Sequence, residues 1–184
     1  MNIKRYIATI ILAIVLLLNF SCTDWLDVKP VDRMSEDQLY STEAGFRQAL
    51  NGIYVELNHA DLYGDELLVN TVEILAQRYK FSSMGTLTNQ YHLAEFDYTT
   101  DYAKKCGSRI WEKAYALIAN VNKLLKNADS HKDLFTGDSY DLITGEAYAL
   151  RAFLHFDLLR LFGPVYKTHK EDKSICYNTQ FSLS

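Results

Sequence analysis

The sequence predicts an all-α protein, an array of antiparallel helix hairpins with long irregular loops, and three observations carry that expectation. Residues 141–166, DLITGEAYALRAFLHFDLLRLFGPVY, hold a single glycine, Gly145, before the Gly163-Pro164 stop and are rich in Ala, Leu, Arg and Glu, the composition of one long helix. After Ser108, apolar side chains recur at spacings of three and four through Ile110, Trp111, Ala114, Leu117, Ile118, Val121, Leu124 and Leu125, which is the period of an amphipathic helix. Between the two lies a polar cluster, residues 127–133, short enough to make the pair an antiparallel hairpin.

The chain opens with Lys4 and Arg5, an apolar run over 7–18 and the exit Ser21-Cys22. These are the parts of an export signal over 1–21, and the run is too short to span a bilayer. Cys22 directly after it is the expected site of a diacylglyceryl thioether that anchors the mature chain to a membrane. Residues 23–30, TDWLDVKP, have no helical period and end in a proline, so they read as a tether.

Ser41 and Thr42 then precede Phe46, Ala49, Leu50, Ile53, Tyr54 and Leu57 on one helical face, the first helix. Gly52 inside that pattern costs about 1 kcal/mol of helix propensity, which suggests a close helix contact there. Leu68, Val72 and Leu75 fit a second helix over 64–79 only loosely. From Phe81 to Tyr102 no period persists, and Gly85 with Ser, Thr, Asn and the aromatics Tyr91, Phe96, Tyr98 and Tyr102 reads as a long loop, the first place to seek a ligand surface.

On the 141–166 helix, at about 100° per residue, Thr144, Arg151 and His155 form one polar stripe and Glu146, Asp157 and Arg160 another. Between them lie two apolar faces, one of Ala147, Leu150, Leu154, Leu158 and Leu161, the other of Ala149, Ala152, Phe156 and Leu159. Such a helix is expected to be packed on both flanks, as an interior element of a stacked array is. The hairpin is the unit of tetratricopeptide-like arrays, whose consensus is met in outline by Trp111 and the Ala/Phe pattern. The polar tail after Tyr166 closes no domain, so the array reads as incomplete at the C-terminus.

The segment 145–166, GEAYALRAFLHFDLLRLFGPVY, resembles the SusD/RagB family of surface lipoproteins, as do 39–43, LYSTE, and 49–54, ALNGIY. The acidic, Leu-Asp-containing lead after Cys22 is also similar, and the resemblance covers 22 to the end, an amino-terminal helical domain. It implies capture of glycan or another nutrient and delivery to a SusC-like TonB-dependent transporter in the outer membrane. The implied location is the outer membrane, lipid-anchored and facing the cell exterior. Full members are roughly three times longer, and their sugar-contacting residues differ from member to member.

The sequence has 184 residues, is 48% hydrophobic with 13 tyrosines, and carries a net charge of −4. Losing Lys4 and Arg5 with the leader makes the balance more acidic, and no basic patch suggests nucleic acid. No zinc-binding, phosphate-cradling, C-x-x-C or nucleophile-elbow motif occurs, so no metal, cofactor or catalytic residue is expected. The histidines 59, 92, 131, 155 and 169 are scattered, and the pairs Arg151/His155 and Asp157/Arg160 read as seam contacts. Cys106 and Cys176 are expected as two free thiols, although one bridge between them is chemically open after export.

Three functions compete. A glycan-binding lipoprotein would present ring faces and polar groups, and Tyr63, Asp65, Arg78, Tyr79 and Tyr91 are the candidates, each weighed against plain core packing. A helical protein–protein adaptor of the transporter complex would need no sugar site. An extracellular hydrolase has no motif in its favour.

Overall fold

The structure of the protein is a computed structural model that describes residues 35–82 and 85–181. The export signal, Cys22 and the 23–30 tether lie outside the described residues. Those described are helical, without a strand among them: α1 Glu36–Leu39, α2 Glu43–Leu57, α3 Thr71–Leu75, α4 Thr88–Ala94, α5 Asp101–Ser130 and α6 Ser139–Phe162, with a 3-10 turn at Lys132–Leu134. From Glu36 onward they belong to one compact unit.

Helix α2 starts where a cap is available, since the Thr42 hydroxyl oxygen accepts from the Gly45 N–H at 3.1 Å. The close backbone approach is at Gly45 rather than Gly52. A Cβ on Gly45 would sit 1.7 Å from the Leu39 carbonyl oxygen, whereas one on Gly52 would point into open space. The glycine that looked like a contact is thus solvent-facing, and the contact glycine serves the turn from α1 into α2.

Helix α5 begins at Asp101, seven residues before Ser108. Thr100 caps it by accepting from Ala103 N–H at 3.2 Å, and buried Ala103 and Cys106 extend the apolar stripe with side chains too small to announce it. At the other end Asn127 Nδ2 donates to Lys123 O and Ser130 Oγ to Lys126 O, so residues read as turn formers fold back on the helix and prolong it to Ser130. The 64–79 segment is mostly turns around short α3, and the 81–102 loop contains α4 and the first residues of α5. Gly163 ends α6 as expected.

Helices α5 and α6 form the antiparallel hairpin, with α2 against both. Phe46, Leu50 and Ile53 from α2, Leu117, Ile118, Val121 and Leu124 from α5, and Ile143, Leu150, Leu154 and Leu158 from α6 fill the core. A smaller cluster of Ile74, Leu93, Ala94 and Ala103 joins α3 and α4 to the start of α5. The fold is therefore all-α and tetratricopeptide-like. Packing on both flanks of α6 is found on one flank only: Ala147, Leu150, Leu154 and Leu158 are buried, while Ala149, Ala152, Phe156 and Leu159 face outward, Phe156 with 56% of its surface exposed.

Cys106 is buried and Cys176 exposed, and both are free thiols. The Arg151/His155 pair is a seam, as expected. His155 Nδ1–H donates to Arg151 O at 2.8 Å while Nε2 accepts from Asn178 N–H at 3.2 Å, an arrangement that uses the neutral ring. Arg151 Nη1 donates to Asn122 Oδ1 and Thr179 O, and Tyr115 OH to Cys176 O, so the polar tail is pinned along the α5/α6 groove.

Candidate functional site

The ends of the two short helices are built alike, and neither uses glycine. At α3, Gln77 N–H donates to Ile74 O and Arg78 N–H to Glu73 O, both at 3.0 Å, with Gln77 at φ 59°. At α4, Phe96 N–H donates to Leu93 O at 3.0 Å and Asp97 N–H to His92 O at 2.9 Å, with Phe96 also at φ 59°. Both are Schellman closures, in which a left-handed residue reverses the chain and satisfies the last carbonyls. A side chain in that region costs about 1–2 kcal/mol, which is why glycine is usual there.

These closures aim the segments that follow. Beyond Gln77 come Arg78 and Tyr79, and beyond Phe96 come Asp97 and Tyr98. The Gln77 amide donates to Ala94 O at 2.6 Å, so the two helix ends are tied to each other. Tyr79 on the α3 side of that tie and Phe96 and Tyr98 on the α4 side, all substantially exposed, make up the candidate surface, with the Tyr79 ring edge-on to Phe81 at 6.0 Å and Phe96 next to Tyr98 at 6.5 Å. Hydrogen bonds from Thr99 hold the Asp97 carboxyl below its usual range, with the His92 ring 3.5 Å away. Arg78 reaches Glu73 at 3.9 Å and is otherwise exposed. Beneath, Glu66 is buried and takes the Thr71 hydroxyl at 2.5 Å and the Arg109 guanidinium, fixing α3 to α5.

Of the five residues expected from sequence, Arg78 and Tyr79 stand on this surface, and Tyr79 OH donates to Val69 O at 3.0 Å. Tyr91 is half-buried on α4, edge-on to His92 at 5.7 Å. Asp65 accepts from Asn70 Nδ2 at 3.2 Å and receives three backbone N–H groups on its carbonyl, a turn-building role. Tyr63 turns to α6: its ring stacks on Phe153 at 5.1 Å and its hydroxyl donates to Asp157 Oδ2 at 2.6 Å. Burial and then that carboxylate push the Tyr63 phenol well up, and Arg160 holds the other Asp157 oxygen at 2.6 Å. No two of the five share a hydrogen bond, ion pair or ring contact among the described residues. Phe96 and Tyr98 escaped selection because nothing in the sequence marks Phe96 as a helix-ending residue.

Of the concavities among the described residues, one adjoins this surface and one lies toward the other end of α5. The first, of about 420 Å³, is apolar and lies between α3, α4, the first turns of α5 and the end of α6. The other, of about 580 Å³, is polar and lined by Asn122, Lys126, Asp129, Tyr148, Arg151 and the tail. Among the described residues no group of acidic, histidine and cysteine side chains is placed to hold a metal ion, and no helix is long and apolar enough to cross a membrane.

The model of a SusD-like family described as "Starch-binding associating with outer membrane" matches residues 24–182. The chain belongs to the SusD-like family. Among curated proteins it is similar to SusD-like protein P2 of Formosa agariphila, 27% identical over 162 residues, which are 88% of this chain and 30% of that protein. It is likewise similar to SusD-like protein P25 of the same organism, 27% identical over 148 residues, 78% of this chain and 28% of that protein. The chain thus spans less than a third of the length of these SusD-like relatives. No solved structure matches it significantly.

Proposed function

We propose that the chain is the amino-terminal part of a non-catalytic, surface-exposed lipoprotein that binds glycan and hands it to a SusC-like TonB-dependent transporter. Cys22 carries the lipid that holds it on the outer membrane, facing outward. The single observation that carries the reading is the family match over 24–182, a family described as starch-binding and outer-membrane-associated. The chemistry of the tied helix ends supports it. Exposed rings of Tyr79, Phe96 and Tyr98 offer flat apolar faces to sugar C–H surfaces, while Arg78 and Asp97 stand beside them for hydroxyls. Tyr91 on α4 remains a candidate beside them, whereas Tyr63 and Asp65 are committed to α6 and to the 65–70 turn.

The test is isothermal titration of the purified chain with starch oligosaccharides and a panel of other polysaccharides. Tyr79→Ala and Tyr98→Ala should each weaken binding by about fivefold, the worth of about 1 kcal/mol per stacked ring. If the chain binds transporter but no glycan, the adaptor reading replaces this one, and sugar cleaved during long incubation would require a hydrolase.

A further inference from the structure

We propose that the apolar cavity between α3, α4, α5 and α6 binds an amphipathic monocarboxylate, its hydrocarbon or aryl body inside and its carboxylate at Lys104. At about 420 Å³ the cavity falls in the range of about 300–1,000 Å³ that small-molecule sites occupy. Its walls are Leu75, Leu93, Ile110, Leu161 and Phe162, from four helices. A sugar would find few partners there, because the buried polar wall groups are already engaged. Thr71 Oγ1 donates to Glu66, and Arg109 Nη2 donates toward Cys106 Sγ at 3.8 Å. An apolar body is what such walls favour, through the area it removes from water.

The cation supplies the second half of the argument. Lys104 lines the cavity and is solvent-exposed, and no carboxylate among the described residues is in ion-pair contact with it. Asp97 feels its charge, but that carboxylate is bonded to Thr99 and faces His92. A bound carboxylate would therefore gain a charge-assisted hydrogen bond from Lys104 without displacing a partner. Tyr98, also exposed, borders the same opening, so the cavity adjoins the ring surface while differing from it in chemistry. The inference does not depend on glycan binding.

The experiment uses the chain from residue 22 with Cys22→Ser, free of detergent, because the residues from Glu36 onward have their own core. Decanoate and 3-phenylpropanoate are titrated calorimetrically, with decanamide as the neutral comparison, and the alkylation rate of Cys106 is followed. At least one carboxylate should bind saturably at one site and slow Cys106 alkylation, and which one binds distinguishes an aliphatic from an aryl ligand. Lys104→Gln should weaken the carboxylate several-fold and leave decanamide unchanged. Gly107→Leu, which puts a side chain toward Phe162 from the cavity wall, should abolish binding while the protein still melts cooperatively. The proposal is overturned if neither carboxylate binds, if Cys106 stays unprotected at saturation, or if Lys104→Gln affects decanamide and carboxylate alike. It also falls if a folded Gly107→Leu protein binds as wild type does. Should Gly107→Leu fail to fold, the Cys106 and Lys104 measurements still decide.

Discussion

Leu154 and Phe156 are two residues apart on α6 and point to opposite flanks, so truncating each to alanine measures which flank is packed. Leu154 is 1% exposed in the core. Losing the equivalent of three buried methylene groups at about 0.8 kcal/mol each costs about 2.4 kcal/mol, and the cavity left behind raises Leu154→Ala to about 3–4 kcal/mol. Phe156 is 56% exposed, so less than half of the burial energy of a phenylalanine is at stake, about 1 kcal/mol. The Arg160 guanidinium over its ring at 5.4 Å adds about 0.5 kcal/mol, roughly cancelled by alanine's better helix propensity. The expected gap is therefore about 2–3 kcal/mol, or about 4–12 °C in melting temperature at about 2–4 °C per kcal/mol. Urea unfolding followed by far-UV circular dichroism, with a thermal melt beside it, reads both variants. Equal losses at the two positions would mean that the second face of α6 is covered in solution and that its exposure has been misread.

Stability should fall in acid through Glu43, whose pKa is lowered from 4.5 to about 2 by hydrogen bonds from Ser139 and Thr136, with Arg47 assisting. A lowered folded value means the contribution is present above pH 4.5 and lost as the pH falls toward 2, so melting temperatures of Glu43→Gln and wild type should converge across that window. Arg151→Ala removes the hydrogen bond to Thr179 O that pins the tail and the one to Asn122 Oδ1, leaving buried Asn122 short of a donor. It should cost about 1–3 kcal/mol and open residues 176–181 to protease, seen as faster tail cleavage with the α5/α6 hairpin intact. Cys22→Ala should move the protein out of the membrane fraction, and a substituted protein that still incorporates labelled lipid would remove Cys22 as the anchor.

Helices with large apolar side chains in period were readable directly. α2, the body of α5 and α6 are where the spacing places them, because Phe46, Leu117, Leu124 and Leu154 leave little choice of face. The start of α5 was hidden because Ala103 and Cys106 bury little surface and Lys104, Lys105 and Gly107 interrupt the pattern. Helices α3 and α4 are too short for periodicity to exceed noise, and their ends rest on Gln77 and Phe96 in a backbone region that sequence readers assign to glycine. The tied aromatic surface was therefore only half visible: Arg78 and Tyr79 were singled out for their chemistry, while Phe96 and Tyr98 depend on a chain reversal that no residue type declares. Tyr63 shows the converse, since a tyrosine in a loop-rich stretch can be committed to a helix that lies far away in sequence.

The hydrogen bond from the Gln77 amide to Ala94 O has a calorimetric consequence. Two reversals that could drift independently are held in one arrangement before any ligand arrives, so the rotational freedom of the loop ends is lost when the chain folds rather than at the encounter. Cutting that link with Gln77→Ala removes no ring but lets the two halves sample different separations. A ligand that touches both halves would then show nearly the same heat of binding with a more unfavourable entropy, and a ligand confined to one half would not register the change.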